Sequence, residues 1–401
     1  MSQLNPSKNN SDPLKIYYDI QITNLQSATT PPPTLYFNEI RNTPFIQCPQ
    51  DYYFSIIRFT LDTPTLPVFI PEIATSIAQN PTQNINQTIY SFQFEYAGIY
   101  DPSGQYYILW SPQDLSAYKP TGFETAGGTG GSSNRSVQIS STGYYNCYTY
   151  EWWVELINQQ LIVAFNQYKD YYVAYQEIHD ELPVFPATAV PPQMAWDSSS
   201  GCARLVFTTD YVSTNTTPIN FYVNSNFYNL FSSFNAVKLG YNATGRNWKI
   251  QVVKQADFNT YELATISYVD VIQEWSTTSA MSPISSLVFV SNTLPIVSNQ
   301  LSSPLLFNEG NVLSNYGNNS NFQQVITDIV ADDGLYKPNL VYNPTAQYRL
   351  VDMMGNYPLT SLDVSVFWKN KVGTLNPFYL GSGACATLKI LFTKKGSDGS
   401  K

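Results

Sequence analysis

Residues 15–23, Lys15-Ile16-Tyr17-Tyr18-Asp19-Ile20-Gln21-Ile22-Thr23, alternate strictly: Ile16, Tyr18, Ile20 and Ile22 fall on one side, Tyr17, Asp19, Gln21 and Thr23 on the other. A side-chain period of two with one apolar face is the pattern of a β-strand half buried in a sheet. The segment 52–61, YYFSIIRFTL, is apolar on both sides and is expected inside a sheet covered on both faces. Alternation returns at 89–96, with Tyr90, Phe92, Phe94 and Tyr96 set against Ser91, Gln93 and Glu95, and a shorter run follows at 106–110. Further strands are expected at 203–208, 248–253, 286–290, 362–368 and 386–392.

Between these runs the period changes once. From 151 to 168 the apolar positions Trp153, Leu156, Ile157, Leu161, Ala164, Phe165 and Tyr168 follow the spacing of an amphipathic helix. Shorter helices are expected at 226–234 and 322–330. The stretch 126–133, AGGTGGSS, has side chains too small to bury and suits an exposed loop tip. Twenty Gly and 26 Pro punctuate the runs, as short strands joined by turns require, and no short repeat suggests a solenoid or propeller. The fold class is all-β: an antiparallel jelly-roll sandwich with inserted loops and a few helices. The alternative is a compact double jelly roll, its second sandwich beginning near Trp248, which would divide the chain into 14–245 and 246–401. In the single-sandwich reading, 1–13 form a polar N-terminal arm and 14–401 the jelly-roll domain, with an insertion at roughly 112–200.

Composition narrows the function. Twenty Lys and Arg against 29 Asp and Glu give a net charge of −9, and basic residues form no run of the kind that neutralises phosphates, so direct nucleic-acid binding is not expected. Charged residues make up 12% of the chain, about half the usual ~25%, while 31 tyrosines help bring the aromatic share to 15%. Depletion of charge with enrichment of Tyr and Trp is what interface cores show. No apolar run reaches the length of a membrane span, and the opening residues lack the apolar stretch of a secretory signal. Cys48, Cys147, Cys202 and Cys385 stand far apart without a CxxC pair. They read as free thiols of a protein made in a reducing compartment, not secreted, with no structural zinc.

Chemistry is sparse. His179 is the only histidine; in Glu177-Ile178-His179-Asp180-Glu181 it could act as an acid–base group or help hold a cation, but a solvated acidic segment after the long helix is the favoured reading. Asp328, Asp332, Asp333 and Gly334 invite comparison with a calcium loop, yet the spacing is wrong for an EF-hand and an Asp-Gly turn after a short helix suffices. The glycine stretch lacks the GK[ST] ending of a phosphate loop. Trp152, Trp153 and the pairs Tyr106-Tyr107, Tyr144-Tyr145 and Tyr171-Tyr172 could stack on sugars or bases. Core filling or subunit packing accounts for them better, because no basic or carboxylate partners cluster with the rings. No catalytic, cofactor-binding or metal-ligating residue is therefore expected, nor an enzyme. A glycan-binding attachment module remains the reading from a different class.

The run 358–368, PLTSLDVSVFW, leads through Gly373 to Asn376-Pro377-Phe378-Tyr379-Leu380 and closes with 383–392, GACATLKILF. Together with Tyr17-Tyr18-Asp19-Ile20, 33–38 (PTLYFN) and 52–59 (YYFSIIRF), it resembles the jelly-roll capsid proteins, above all the penton or vertex proteins, of Polinton-like viruses, adintoviruses and virophages. The resemblance spans most of the chain as a pattern. It implies a capsid subunit of an icosahedral DNA virus, a homo-oligomer at the fivefold axis, most simply a pentamer beneath an outward-facing insertion. A major capsid protein of the same virion would be a partner, and a host receptor or glycan a further one. A trimeric double jelly-roll major capsid protein is the rival within the class. The virion is the implied location, with synthesis in the host cytoplasm, and the arm at 1–13 would reach neighbouring shell subunits. Pentons of some adenovirus relatives carry an RGD tripeptide for integrins; this sequence has none.

Overall fold

The computed structural model describes residues 13–26, 32–74, 85–102, 104–121, 124–125, 136–138, 142–240, 247–254, 260–297, 301–302, 306–307, 313–314, 323–330, 339–343, 349–371 and 373–396. The expected arm, but for Pro13, and the glycine stretch at 126–133 lie outside them, as do Asp332, Asp333 and Gly334.

Three strands open the chain: β1 (Lys15–Thr23), β2 (Tyr36–Ile40) and β3 (Tyr52–Asp62). Then come β4 (Gln87–Tyr96), β5 (Ile99–Tyr100), β6 (Tyr106–Leu109), the short pair β7 (Glu124–Thr125) and β8 (Ser136–Val137), and helix α1 (Tyr150–Gln176). After it follow β9 (Gln193–Asp197), β10 (Cys202–Thr208), β11 (Asn220–Val223), α2 (Ser225–Leu230), β12 (Ala236–Lys238), β13 (Trp248–Ile250), β14 (Thr260–Leu263), β15 (Ile266–Ile272) and α3 (Thr278–Met281). The last part holds β16 (Ile284–Val290), β17 (Leu301–Ser302), β18 (Leu306–Phe307), β19 (Leu313–Ser314), β20 (Gln323–Ile329) and β21 (Asn339–Tyr342). It ends with β22 (Val351–Asp352), β23 (Ser361–Asn370), β24 (Leu375–Pro377) and β25 (Cys385–Lys394). These elements form two compact units, one built from Met1–Leu66 with Pro283–Lys401, the other from Pro67–Ser282.

The first unit has two principal sheets, ordered β1-β25-β3-β21 and β20-β16-β23-β2. Counting its eight main strands along the chain, the sheets run first–eighth–third–sixth and fifth–fourth–seventh–second. That interleaving of two antiparallel Greek keys is the jelly-roll order. The second unit interrupts it between the third strand and the fourth. Phe59 on β3 meets Phe289 on β16 at a ring separation of 5.1 Å, joining the two sheets through the core, and Phe54 and Phe392 pack edge to face at 5.4 Å. The inner face of β1 is the one the alternation assigns, with Ile20 fully buried.

The sequence 52–61 has a different explanation from the one its composition suggests. β3 is central, but a register shift opposite Lys389 and Ile390 leaves Ile57 as an extra residue, so Ile56 pairs with Ile390 while Arg58 pairs with Lys389. A bulge reverses the parity of the strand beyond it. Phe54 and Ile56 before the bulge and Phe59 and Leu61 after it are all buried, and Arg58 is exposed. The apolar run is partly a record of that change of phase, and one face of this half of the strand is open rather than covered.

In the second unit the sheets are ordered β14-β15-β10-β9 and β12-β13-β11-β4-β5, with β6 also on β4. Its first long strand, β4, and its last, β15, lie in different sheets. A jelly roll sets its first and last strands side by side, as β1 and β25 are, so this unit does not repeat the fold of the first. Helix α1 buries all seven apolar positions named from its spacing and packs Phe165, Tyr168 and Trp153 against Phe94 and Tyr90 of β4. The Thr149 hydroxyl caps its start by accepting the Trp152 N–H. The helix runs eight residues past the expected end at Tyr168, because Tyr172, one turn on, is also buried and donates its hydroxyl to the Pro183 carbonyl at 2.8 Å.

One expected helix is wrong. Residues 323–329 form strand β20, paired with β16. The segment Val325-Ile326-Thr327 is β-branched throughout, which disfavours a helix and suits a pleated surface. The helix expected at 226–234 is present as α2, capped by the Asn224 side chain accepting the Phe227 N–H at 2.9 Å, and the strand expected at 248–253 stops at Ile250.

Candidate assembly surfaces

On the jelly-roll unit, β2 closes one sheet. The Leu35 carbonyl accepts from the Val366 N–H at 3.1 Å, and the Arg41 N–H donates to the Thr360 carbonyl at 2.8 Å. Antiparallel pairs alternate between bonded and non-bonded positions, so the main-chain groups of Tyr36, Asn38 and Ile40 turn away from β23. Among the described residues no strand pairs with that edge. The same three side chains are exposed, Ile40 at 76%. An edge strand with an apolar exposed face is a template for another chain. Behind it the sandwich is sealed: Tyr18 of β1 packs edge to face on Phe45 at 5.4 Å and reaches Phe37 and the Glu39 carboxylate, with the Arg41 guanidinium over Phe45 at 4.5 Å. On the other side of the sandwich β21 is the edge of the companion sheet, and its Val341 is 64% exposed.

The open face of β1, β25 and β3 is polar. Asp19 lies 3.5 Å from the Lys389 ammonium and 4.0 Å from Arg58, pairs that are well exposed and contribute little to stability. Asp363 is different. It is buried, and although burial raises its pKa, the hydroxyls of Ser291 and Thr293 and the N–H groups of Asn292 and Thr293 outweigh this and hold the carboxyl below its ordinary range.

Among the described residues, those singled out for chemistry are not brought together. His179 stacks on Tyr175 at 4.2 Å and its Nδ1 lies 3.3 Å from Glu181, in a turn where Glu177, Ile178, Asp180 and Glu181 face solvent. Asp328, on β20, pairs with Arg349 at 2.9 Å. Among the described residues no three His, Cys, Asp or Glu side chains are grouped to hold a metal ion, and no helix is long and apolar enough to cross a membrane. Most of the aromatic side chains are structural. Trp153 is buried between Phe69 and Tyr90, and Trp152 donates its indole N–H to the Ser111 carbonyl at 3.0 Å. Tyr144 and Tyr145 pack on each other at 5.1 Å, Tyr106 is buried with its hydroxyl on Asp101, and Tyr172 is buried. Tyr107 and Tyr171 are half-buried. All four cysteines are free, with Cys147 and Cys202 buried.

A jelly roll whose apolar edge no strand covers among the described residues is the architecture of a structural protein of the shell-building kind. The family profile of the Sputnik minor capsid protein V18/19 matches residues 16–394, and the chain belongs to that family. It is a structural capsid subunit of the virion, penton-like in fold, and not an enzyme. Its relatives include the structural protein V19 of Sputnik virophage, 30% identical over 194 residues, which are 46% of this chain and 85% of that protein. The uncharacterized protein V18 of the same virophage is 29% identical over 167 residues, 42% of this chain and 92% of its own length. A chain of the Sputnik virophage cryo-EM structure superposes with a TM-score of 0.75 at 26% identity, over 96% of this chain and 99% of the other. The mavirus penton protein shares the fold, with a TM-score of 0.58 at 13% identity over 94% and 99%.

Proposed function

We propose that this subunit is the vertex protein of its capsid and closes into a pentamer, with the jelly roll as the shell-building part and Pro67–Ser282 as the inserted domain. The observation that carries the reading is the single jelly-roll order of the first unit, interrupted once between its third and fourth strands. A double jelly-roll major capsid protein would need that order twice. The edge at β2 and the edge at β21 lie on opposite sides of one sandwich and differ in sequence, and contact between unlike edges of successive copies generates a closed ring when the rotation permits. The major capsid protein of the same virion is the expected neighbour, with the segment at 1–13 as an arm that docks on it.

Native mass spectrometry of the purified full-length protein tests the proposal. Five copies are expected; a trimer would return the major-capsid reading, and a stable monomer that binds glycans on an array would replace both.

A further inference from the structure

The charge of the chain is unevenly placed. The jelly-roll unit carries 12 Lys and Arg against 12 Asp and Glu, whereas Pro67–Ser282 carries 8 against 17, so the whole −9 belongs to the inserted unit. Helix α1 and the turn after it concentrate this excess. Lys169 is the only cation on α1; it stands at the edge of the helix's exposed face, and its Nζ lies over Phe185 at 6.0 Å.

That exposed face has a pattern of its own. Glu155, Ile162, Val163, Asp170, Val173 and Glu177 are all exposed, the three aliphatic ones by 38–45%. With Gln159 and Asn166 they recur at the 3 and 4 spacing that keeps residues on one side of a helix, over six turns or roughly 33 Å. Glu155 stands towards the amino end, Ile162 and Val163 in the middle, and Val173 between Asp170 and Glu177 towards the carboxyl end. At the carboxyl end Asp170 and Glu177 are joined by Asp180 and Glu181, with no basic residue in the last turn. Negative charge is unfavourable beside the partial negative charge of a helix C-terminus, so this arrangement favours the approach of a further cation.

From this we infer that the outer face of α1 is a docking surface for an amphipathic helical segment of another protein, apolar in its centre and carrying Lys or Arg towards both ends. Aliphatic contact at Ile162, Val163 and Val173 supplies the burial, and the flanking carboxylates set the position and the salt dependence. The inference does not depend on the pentamer.

The test uses the full-length protein and a synthetic helical peptide of about six turns, with a Leu stripe and Lys at both ends, followed by fluorescence anisotropy. Saturable binding that weakens with added salt is expected. The double variant Glu155→Lys with Asp170→Lys should weaken it about tenfold or more, as the loss of several ion pairs does, and Ile162→Ser with Val163→Ser should weaken it independently of salt. Glu262→Lys with Glu274→Lys, elsewhere on the same unit, should leave it unchanged. Equal binding of a peptide with Glu in place of Lys, or equal weakening by the control variant, overturns the inference. So does loss of the protein's own oligomer in the α1 variants, which would make the face a contact between copies.

Discussion

The carboxylate of Asp363 on β23 accepts two hydrogen bonds from Thr293, one from its hydroxyl at 2.6 Å and one from its N–H at 2.9 Å. The same carboxylate takes the Asn292 N–H at 3.0 Å and the Ser291 hydroxyl. One buried acid thus fixes the turn that leaves β16. These donors converge on Oδ1, and Asn at this position would lose the charge they are gathered around and set an NH2 group against the Asn292 N–H that now also meets Oδ2 at 3.0 Å. Asp363→Asn should cost about 2–4 kcal/mol, read as a fall in the denaturation midpoint. The folded pKa lies below the unfolded value near 4, so the carboxylate's contribution is present above that pH and disappears as pH falls through the folded pKa. The variant should lose that part of the acid dependence; an unchanged acid profile would show that the turn is held by other contacts.

Burial pushes the Cys147 thiol up to about 12, and Cys202 is also buried, whereas Cys48 and Cys385 are partly accessible. A thiol reacts as its thiolate. Alkylation of the native protein at pH 8 should therefore label Cys48 and Cys385 and spare the other two, with all four labelled after denaturation. Rapid native labelling of Cys147 would mean that the start of α1 opens readily.

Leu388 lies in β25 between Ile20 of β1 and Phe59 of β3 and is buried. Leu388→Asp places an unpaired charge inside the sandwich, a cost of several kcal/mol. Loss of soluble folded protein on expression is the expected outcome, and a near-normal melting temperature would contradict the sheet order.

His179 is partly exposed and rests on Tyr175. His179→Ala should reduce stability by no more than about 1 kcal/mol, the value of an aromatic contact, and leave assembly intact. Loss of any enzymatic turnover in this variant would revive the acid–base reading of that segment.

The outline of the jelly roll was legible because its strands carry the signal that burial writes into sequence: the alternation at Ile16, Tyr18, Ile20 and Ile22 and the apolar close at 386–392. The phase change at Ile57 was not, since a bulge is set by the partner strand and leaves only an apparent excess of apolar residues. At 322–330 the apolar spacing fitted a helix as well as a strand, and the β-branched run Val325-Ile326-Thr327 was the deciding cue. The single histidine and the scattered cysteines offered no pattern from which a chemical centre could be read. The edge at β2 could not be found from Tyr36, Asn38 and Ile40 alone. Whether a strand lies inside a sheet or at its border depends on segments far away in the chain.

That edge yields the prediction most closely tied to assembly. Ile40 is exposed and its main-chain groups face outwards, so replacing it leaves the contacts of the sandwich almost unchanged. Surface substitutions of this kind move stability by about 0.5 kcal/mol or less. A lysine on an edge strand, however, opposes the approach of a further chain, because its charge must be desolvated at the new contact. Ile40→Lys should therefore give a protein with the wild-type melting temperature measured at subunit concentrations where it is dissociated, but with oligomer formation weakened about tenfold or more. Ile40→Val, which keeps the apolar face and the strand preference, should assemble normally. Analytical ultracentrifugation across a concentration series separates these outcomes. Full assembly of the lysine variant would move the subunit contact away from β2, while loss of folding in both variants would mean that Ile40 supports the sandwich itself.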